Sequence, residues 1–158
     1  MFERVLVPLD GSKVGEAAIP VIQQLLAKCS PQVHVDITLL GVITLLRHWV
    51  VVGEASAPVS YTEEELNLIK KRVTDYLEKT GESLKRKQVT LNTMVASGNA
   101  AEEILKAADE IKADLIAMST HGRSGLRRLA FGSITDKILR GASIPVLMVR
   151  APEGTVNE

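Results

Sequence analysis

Helical apolar stripes and short apolar runs alternate along this chain, from its first residues to about residue 150. After Ser12, Thr62 and Asn99, apolar residues recur with a helical period, which predicts an amphipathic helix behind each of them. All three are predicted N-terminal caps, because their side-chain oxygens can accept a backbone N–H of the first turn. Pro20 falls within the first of these segments. We expect it to bend that helix, because proline removes one backbone hydrogen bond.

Apolar runs between the helical segments are predicted as strands. They cover residues 4–9, 33–44, 89–96, 113–118 and 144–149. A further helix is predicted from about Gly132 to Arg140. Residues 45–61 show no clear period and contain Gly53 and Pro58, so they are predicted as a loop. The large apolar residues of this loop would cover a ligand cleft, contact a partner or second subunit, or pack on the domain's own helices.

The alternation of strands and helices predicts a single α/β domain. Parallel strands need a crossover of a dozen residues or more, and the helical segments supply one between successive strands. The first and fourth strands are apolar on successive residues, as expected for central strands buried on both faces. The sequence therefore predicts a doubly wound, five-stranded parallel sheet with helices on both faces over residues 1–150, and a flexible C-terminal tail over residues 151–158.

Composition and charge restrict the function. The chain of 158 residues has 19 Lys+Arg and 19 Asp+Glu, and 3% of it is aromatic, so we expect no nucleic-acid partner. No apolar run reaches about 18 residues, so we expect no membrane-spanning helix. No secretory leader is recognisable, and the lone Cys29 cannot form an internal disulfide. These features predict a cytoplasmic protein.

Candidate chemistry lies where two of the predicted strands end. In doubly wound sheets, ligands bind beyond the carboxyl ends of the strands, at the point where the strand order reverses. This rule selects residues 8–12 after the first strand and residues 119–133 after the fourth. The free N–H groups that begin the next helix, with the hydroxyls of Ser133 and Thr135, would bind a phosphate. Asp10 would accept hydrogen bonds from a ribose hydroxyl or an exocyclic amine, so the two segments predict a nucleotide pocket.

Simpler interpretations of the same residues remain open. Gly122 and Gly132 would let a ligand approach the backbone and supply unusual dihedral angles, but they would equally serve as turn glycines. Ser133 would be an ordinary N-cap, and Asp10 a brace of its own turn. The sequence contains neither a P-loop nor a dinucleotide-binding glycine pattern.

Basic residues in the second segment are candidates for phosphate contacts. His121 would donate to a phosphate oxygen or act as an acid–base, and no second His or Cys stands at metal-ligand spacing beside it. Arg123, with Arg127 and Arg128, would neutralise phosphates or belong to a solvated loop. We expect no metal site built from protein ligands.

Four segments of the chain resemble a known family. They are residues 5–12 (VLVPLDGS), 114–125 (DLIAMSTHGRSG), 131–133 (FGS) and 144–149 (IPVLMV). Together they resemble the universal stress protein family over essentially the whole chain. Members that bind ATP share the pattern G-x2-G-x9-G-[ST]. Gly122, Gly132 and Ser133 match this pattern in type and spacing, and Ser119 stands where its first glycine would be.

The resemblance implies a fold, a nucleotide site and a dimer. The implied fold is the adenine nucleotide α-hydrolase-like sheet with strand order 3-2-1-4-5. The residues implied at the site, from the adenine to the phosphates, are Pro8, Leu9, Asp10, Val42, Met118, Ser119, Gly122, Gly132, Ser133, Ile134 and Thr135. Family dimers usually pair through the fifth strand, here Ile144 to Val149, and a bare apolar edge strand would favour such association.

These observations predict a cytoplasmic, homodimeric, ATP-binding protein with a regulatory role in stress responses. ATP hydrolysis would be slow at most, because no convincing base is placed to direct water at a phosphorus. Mg²⁺ would accompany the phosphates, with water completing its ligand shell. The alternatives are a nucleotide-free dimeric interaction module with an unknown protein partner, a binder of AMP or cAMP, and a nucleotide hydrolase that uses His121.

Overall fold

The computed structural model describes residues 2–44, 48–52, 55–59, 61–120, 132–152 and 155. The strands are β1 (Arg4–Leu9), β2 (Val35–Ile43), β3 (His48–Val52), β4 (Ala55–Val59), β5 (Val89–Ser97), β6 (Leu115–Thr120) and β7 (Val146–Arg150). The α-helices are α1 (Ala18–Lys28), α2 (Glu63–Gly81), α3 (Ala100–Glu110) and α4 (Ser133–Gly141). Short 3-10 helices cover Gly15–Ala17 and Glu82–Leu84.

A five-stranded parallel sheet organises the chain, in the order β5-β2-β1-β6-β7. Numbered within this sheet alone, the order is 3-2-1-4-5, which confirms the expected topology. After β1, the chain moves outward to β2 and β5, and then crosses to the other side of β1 for β6 and β7. The strand order therefore reverses between β1 and β6, where the following connections diverge.

A hydrophobic layer covers each face of the sheet. On one face, Val7 of β1 lies in a cluster with residues of α1 and with Leu77 of α2. On the other face, Leu6 lies in a cluster with Ile104 of α3 and Ile138 of α4. Successive residues of a strand point to opposite faces, so both Leu6 and Val7 are fully buried. The prediction that helices cover both faces is confirmed.

Two of the three predicted helix caps are present. Thr62 Oγ1 accepts the Glu65 N–H at 3.2 Å, and the Glu65 carboxylate accepts the Thr62 N–H at 2.8 Å, which is a complete capping box at the start of α2. Asn99 Oδ1 accepts the Glu102 N–H at 3.3 Å at the start of α3. Among the helices in the described ranges, none combines the length and apolarity needed to cross a bilayer.

The third predicted cap is wrong, because α1 begins later than expected. The chain after β1 first forms the 3-10 turn Gly15–Ala17, and α1 starts at Ala18 without a side-chain cap. Ser12 stabilises the turn instead, since its Oγ accepts the Gly15 N–H at 2.9 Å. Pro20 is therefore the third residue of α1, where a backbone N–H has no α-helical partner to lose. The physical reason for the predicted bend is absent.

The loop prediction for residues 45–61 is also wrong in part. His48–Val52 and Ala55–Val59 form an antiparallel hairpin, β3–β4, apart from the main sheet. Neither strand has a second pairing partner in the described structure, so both are edge strands, and an edge strand tolerates a proline such as Pro58. The valine-rich run at residues 50–52 is typical of a strand. The roles proposed for the apolar side chains of this segment lie outside the described residues.

β6 extends further than predicted, through Ser119 and Thr120. The ladder continues at its end, where the Ala151 N–H donates to the Thr120 carbonyl at 3.0 Å, and Ala151 is buried. Ser119 therefore stands on the regular sheet. Its position is set by the strand and not by a loop.

Candidate functional site

A cavity of about 370 Å³ opens at the carboxyl edge of the sheet, where β1 and β6 end and α4 begins. Small-molecule sites typically have volumes of roughly 300–1,000 Å³. Ten of the thirteen candidate residues line this cavity. They are Pro8, Leu9, Asp10, Val42, Met118, Ser119, Gly132, Ser133, Ile134 and Thr135. The fold thus brings together residues that are far apart in the sequence.

The remaining three candidates, His121, Gly122 and Arg123, lie outside the described residues. The same is true of Arg127 and Arg128. Their phosphate contacts stay predictions.

Several lining residues were missed by sequence reasoning. They are Val14, Gly15, Leu40, Thr44, Ala100, Ile104 and Thr120. Thr44, Ala100 and Thr120 stand at or just beyond the carboxyl ends of β2, β5 and β6. The rule that ligands bind beyond strand ends would have found them, had it been applied to every strand. Leu40 and Ile104 give no such signal, because they also belong to the hydrophobic core.

The turn after β1 holds the Asp10 carboxylate in one orientation. Asp10 Oδ1 accepts the Ser12 N–H at 2.9 Å and the Ser12 hydroxyl at 2.6 Å. Gly11, between them, has φ +82°, a left-handed conformation that favours glycine. Asp10 therefore braces its own turn, as the simpler interpretation proposed, and it also lines the cavity.

Gly15 is packed against this carboxylate. A Cβ built on Gly15 would lie 2.4 Å from Asp10 Oδ1 and 3.3 Å from Ser12 Oγ, which leaves no room for a side chain. The Gly15 N–H donates to Ser12 Oγ, and the Gly15 carbonyl accepts the Ser119 hydroxyl at 2.6 Å. The backbone of Gly15 thus connects the turn after β1 to the end of β6 through two hydrogen bonds.

The opposite wall of the cavity is the beginning of α4. Ser133, Ile134 and Thr135 are its first residues, and the N–H groups of a first helical turn have no intrahelical acceptor. These N–H groups and the positive end of the helix dipole favour an anion. The one acidic side chain of this turn, Asp136, is paired with Arg140 at 2.9 Å.

Two expectations about this helix start are corrected. Ser133 is not the N-cap, because that position is held by Gly132 and Ser133 is the first helical residue. Gly132 has φ −57° and ψ 158°, so it supplies no unusual dihedral angle. Among the described residues, a Cβ added to Gly132 would meet nothing within 4 Å.

The cavity combines three kinds of surface. Leu40, Val42 and Met118 supply apolar groups, Asp10 supplies a carboxylate acceptor, and the α4 start supplies donors. Asp10 is the one carboxylate among the described lining residues. Within the described ranges, no group of three or more His, Cys, Asp or Glu side chains could hold a metal ion. This arrangement suits a ligand with an apolar ring, hydroxyl or amine donors and an anionic end.

A second, larger cavity of about 530 Å³ lies at the opposite, amino end of the strands. Its lining is almost entirely apolar and includes Phe2, Leu25, Val146 and Leu147. It lacks the convergent polar groups that orient a small ligand. We therefore assign the candidate site to the smaller cavity at the carboxyl edge.

The turn that carries Asp10 also contacts α2. The Tyr76 hydroxyl donates to Glu16 Oε1 at 3.2 Å, and Glu16 also pairs with Lys13 at 2.9 Å. Burial of the phenol and the negative charge of Glu16 raise the pKa of Tyr76 to about 12. The neutral phenol is therefore the form that fits this contact.

Comparisons with known proteins place the chain in a family. The family model described as the universal stress protein family matches residues 1–150. The universal stress protein YxiE of Bacillus subtilis is 31% identical over 150 residues, which cover 95% of this chain and 100% of that protein. The solved structure of MJ0577, from Methanocaldococcus jannaschii, has a TM-score of 0.71 at 21% identity and covers 98% of this chain and 99% of its own.

A structure of a universal stress protein in complex with cAMP is also similar. Its TM-score is 0.62 at 19% identity, and the match covers 96% of this chain and 98% of that one. The chain belongs to the universal stress protein family. Its sheet is the adenine nucleotide α-hydrolase-like fold that the resemblance implied.

The close packing of Gly15 generates a stability prediction. Gly15→Ser should lower the free energy of unfolding by about 1–3 kcal/mol, because the new Cβ overlaps the Asp10 carboxylate. The matched variant Gly132→Ser should change it by less than about 0.5 kcal/mol, because its Cβ would meet no described residue within 4 Å and serine is a good N-cap. Urea unfolding measures both. Equal stabilities would contradict the packing described for Gly15.

The Tyr76 contact generates a pH prediction. The pKa of Tyr76 is about 12 in the folded chain, against 10.0 for the free phenol. Its stabilising contribution is therefore complete below pH 10 and is lost as the pH rises towards 12. Tyr76→Phe should remove this alkaline loss of stability, whereas Tyr61→Phe, which leaves the Tyr76 phenol in place, should retain it. Chemical unfolding between pH 8 and 12 measures how the free energy of unfolding depends on pH. An identical pH dependence in wild type and Tyr76→Phe would contradict the prediction.

Proposed function

We propose that this protein binds an adenine nucleotide, ATP, at the carboxyl-edge cavity and acts as a regulatory protein in stress responses. One observation carries the proposal. Asp10 and the start of α4 at Ser133 line the same cavity, together with apolar residues such as Leu40, Val42 and Met118. An acceptor on one wall and an anion site on the other match the two ends of a nucleotide.

The proposed orientation follows from the chemistry of each wall. The adenine lies against Pro8, Leu9 and Val42, and the ribose lies near Asp10, Met118 and Ser119. The phosphates meet the N-terminal N–H groups of α4 and the hydroxyls of Ser133 and Thr135, with Gly132 and Ile134 beside them. His121, Gly122 and Arg123 complete the phosphate end. No described residue lies within 4 Å of a Cβ built on Gly132, which supports a close approach of a phosphate to its backbone.

The similar structure in complex with cAMP supports an adenine nucleotide as the ligand class. We favour ATP over cAMP and AMP because the motif from Gly122 to Ser133 resembles that of the ATP-binding members. Mg²⁺ would accompany the phosphates. The one carboxylate of the described lining, Asp10, stands on the nucleoside wall, so water would supply most of the metal's ligands.

We propose a regulatory output with at most slow hydrolysis. Asp10 Oδ1 already accepts two hydrogen bonds from Ser12, and Asp10 lies on the wall away from the proposed phosphates. Efficient phosphoryl transfer to water needs a residue that orients the attacking water. We place the protein in the cytoplasm, in keeping with its single cysteine.

The nucleotide proposal is tested by the charge of residue 133. Purified protein should release an adenine nucleotide on denaturation or bind added ATP. Ser133→Asp should weaken ATP binding roughly tenfold or more, because a carboxylate would face the phosphates. Adenosine binding should change little, because adenosine has no phosphate. Isothermal titration calorimetry measures both ligands.

The matched control for this test is Ser83→Asp, at an exposed serine of the 3-10 helix that follows α2. It adds the same charge outside the cavity and should retain wild-type affinity. Unchanged ATP affinity in Ser133→Asp, or a wild type that binds no nucleotide, would favour the nucleotide-free interaction module.

We also propose a homodimer that pairs through β7. This strand has β6 as its single partner in the described sheet, and its apolar side chains are only half-buried. The exposed residues Phe2 and Leu25 continue the apolar surface beside it. A bare apolar edge strand favours pairing with a second copy.

The dimer is tested at Met148. In the ladder between β6 and β7, the Ile116 N–H donates to the Pro145 carbonyl, and the Ala151 N–H donates to the Thr120 carbonyl. The N–H groups of successive strand residues point to alternate sides. Because the Ala151 N–H points to β6, the Met148 N–H, three residues earlier, points away from it. Met148→Pro removes this outward donor and should convert dimers to monomers in analytical ultracentrifugation. Met148→Ala truncates the side chain but keeps the donor, and it should remain dimeric. A monomeric wild type at micromolar concentration would rule out this interface.

A further inference from the structure

Ser119 makes a contact that the nucleotide motif does not explain. Its Oγ donates to the Gly15 carbonyl at 2.6 Å, across 104 positions of sequence, and the residue is half-buried at the end of β6. A glycine at this position, as in the family pattern, has no hydroxyl to make this bond. Serine in place of glycine therefore adds a hydrogen bond between the turn after β1 and the end of β6, the two strands between which the strand order reverses.

The hydrogen bond between Ser119 and Gly15 is connected to Asp10 through Gly15 and Ser12. The Gly15 carbonyl accepts from Ser119, and the Gly15 N–H donates to Ser12 Oγ at 2.9 Å. The Ser12 hydroxyl then donates to Asp10 Oδ1 at 2.6 Å. Glycine at position 15 is what leaves room for the carboxylate here, because an added Cβ would lie 2.4 Å from Asp10 Oδ1.

These hydrogen bonds determine which oxygen of the Asp10 carboxylate is available to bind a ligand. Oδ1 is occupied by the N–H and the hydroxyl of Ser12. Oδ2 accepts no hydrogen bond from the described residues, and Asp10 lines the cavity. The Ser119 proton is already used by Gly15, so Ser119 acts on the ligand through the turn and not as a direct donor.

We infer that Ser119 is a positioning residue that holds the Asp10 carboxylate towards the ribose and so makes the site select nucleotides with free 2′- and 3′-hydroxyls. The inference rests on the proposed function for its ligand. A carboxylate held by neighbouring hydrogen bonds recognises hydroxyl groups more strictly than a mobile one, because less rotational freedom is lost on binding. Deoxynucleotides and 3′,5′-cyclic nucleotides, which lack one of these hydroxyls, bind more weakly.

The first experiment needs no ligand. The Ser12 and Gly15 amides are both hydrogen-bonded within the turn, so their hydrogen exchange reports its order. Ser119→Ala should speed their exchange about 3- to 10-fold, the range expected for one lost hydrogen bond. Ser119→Thr keeps the hydroxyl and should restore slow exchange. Ser83→Ala removes an exposed hydroxyl elsewhere and should have no effect on these amides.

The second experiment measures selectivity. In wild type, ATP should bind several-fold more tightly than 2′-deoxy-ATP or 3′-deoxy-ATP, in line with one or two hydrogen bonds to a carboxylate. Ser119→Ala and Ser119→Gly should lose this preference. Their affinity for ATP should fall, whereas their affinity for the deoxy analogue that lacks the hydroxyl recognised by Asp10 should not change. Ser119→Thr should recover it.

The outcomes separate the two proposals. Equal weakening of ATP and both deoxy analogues in Ser119→Ala would overturn the selectivity, because it would indicate general damage to the cavity. Unchanged exchange of the Ser12 and Gly15 amides would overturn the positioning role. If wild type binds no nucleotide, the proposed function and the ribose selectivity both fall, whereas faster exchange in Ser119→Ala would still uphold the control of Asp10 by Ser119.

Discussion

The parallel pairing of β1 with β2 on one side and β6 on the other is the constraint on which the rest of the molecule depends. β1 is matched along its whole length with β2, and its residues Val5 and Leu6 pair with β6. Each parallel connection must cross over a face of the sheet, so the chain leaves β1 towards one half and leaves β6 towards the other. The gap between these departing connections is the candidate cavity.

The burial pattern supports this arrangement. Leu6 and Ile116, on the paired strands, have no exposed surface, and Ile138 of α4 is equally buried beneath the cavity wall. The polar groups at the mouth therefore stand on turns whose bases are anchored in a close-packed core. A hydrogen bond as short as that between Ser119 and Gly15, at 2.6 Å, is favoured by such a base, because the core fixes the positions of the two segments that it joins.

Sequence reasoning succeeded where the signal was local or topological. The capping box at Thr62 was visible within four residues, and the successive apolar residues of β1 indicated a central strand. The cavity followed from the rule on strand ends. By contrast, the β3–β4 hairpin depends on pairing between two short segments, and Pro58 suppressed the strand signal. The bond between Ser119 and Gly15 spans 104 positions, so no pattern in a single sequence reveals it.

The two walls of the cavity come from nearly opposite ends of the chain, Asp10 in the first crossover and Ser133 in the last. A ligand that contacts both walls links the first third of the polypeptide to the last. The unfolded chain has no such site, so the ligand binds only the folded form. Mass action then adds about 2.7 kcal/mol to the folding free energy when its concentration is a hundred times its Kd. Resistance to proteolysis would therefore follow the supply of that molecule, so the protein's own lifetime would act as a gauge of it.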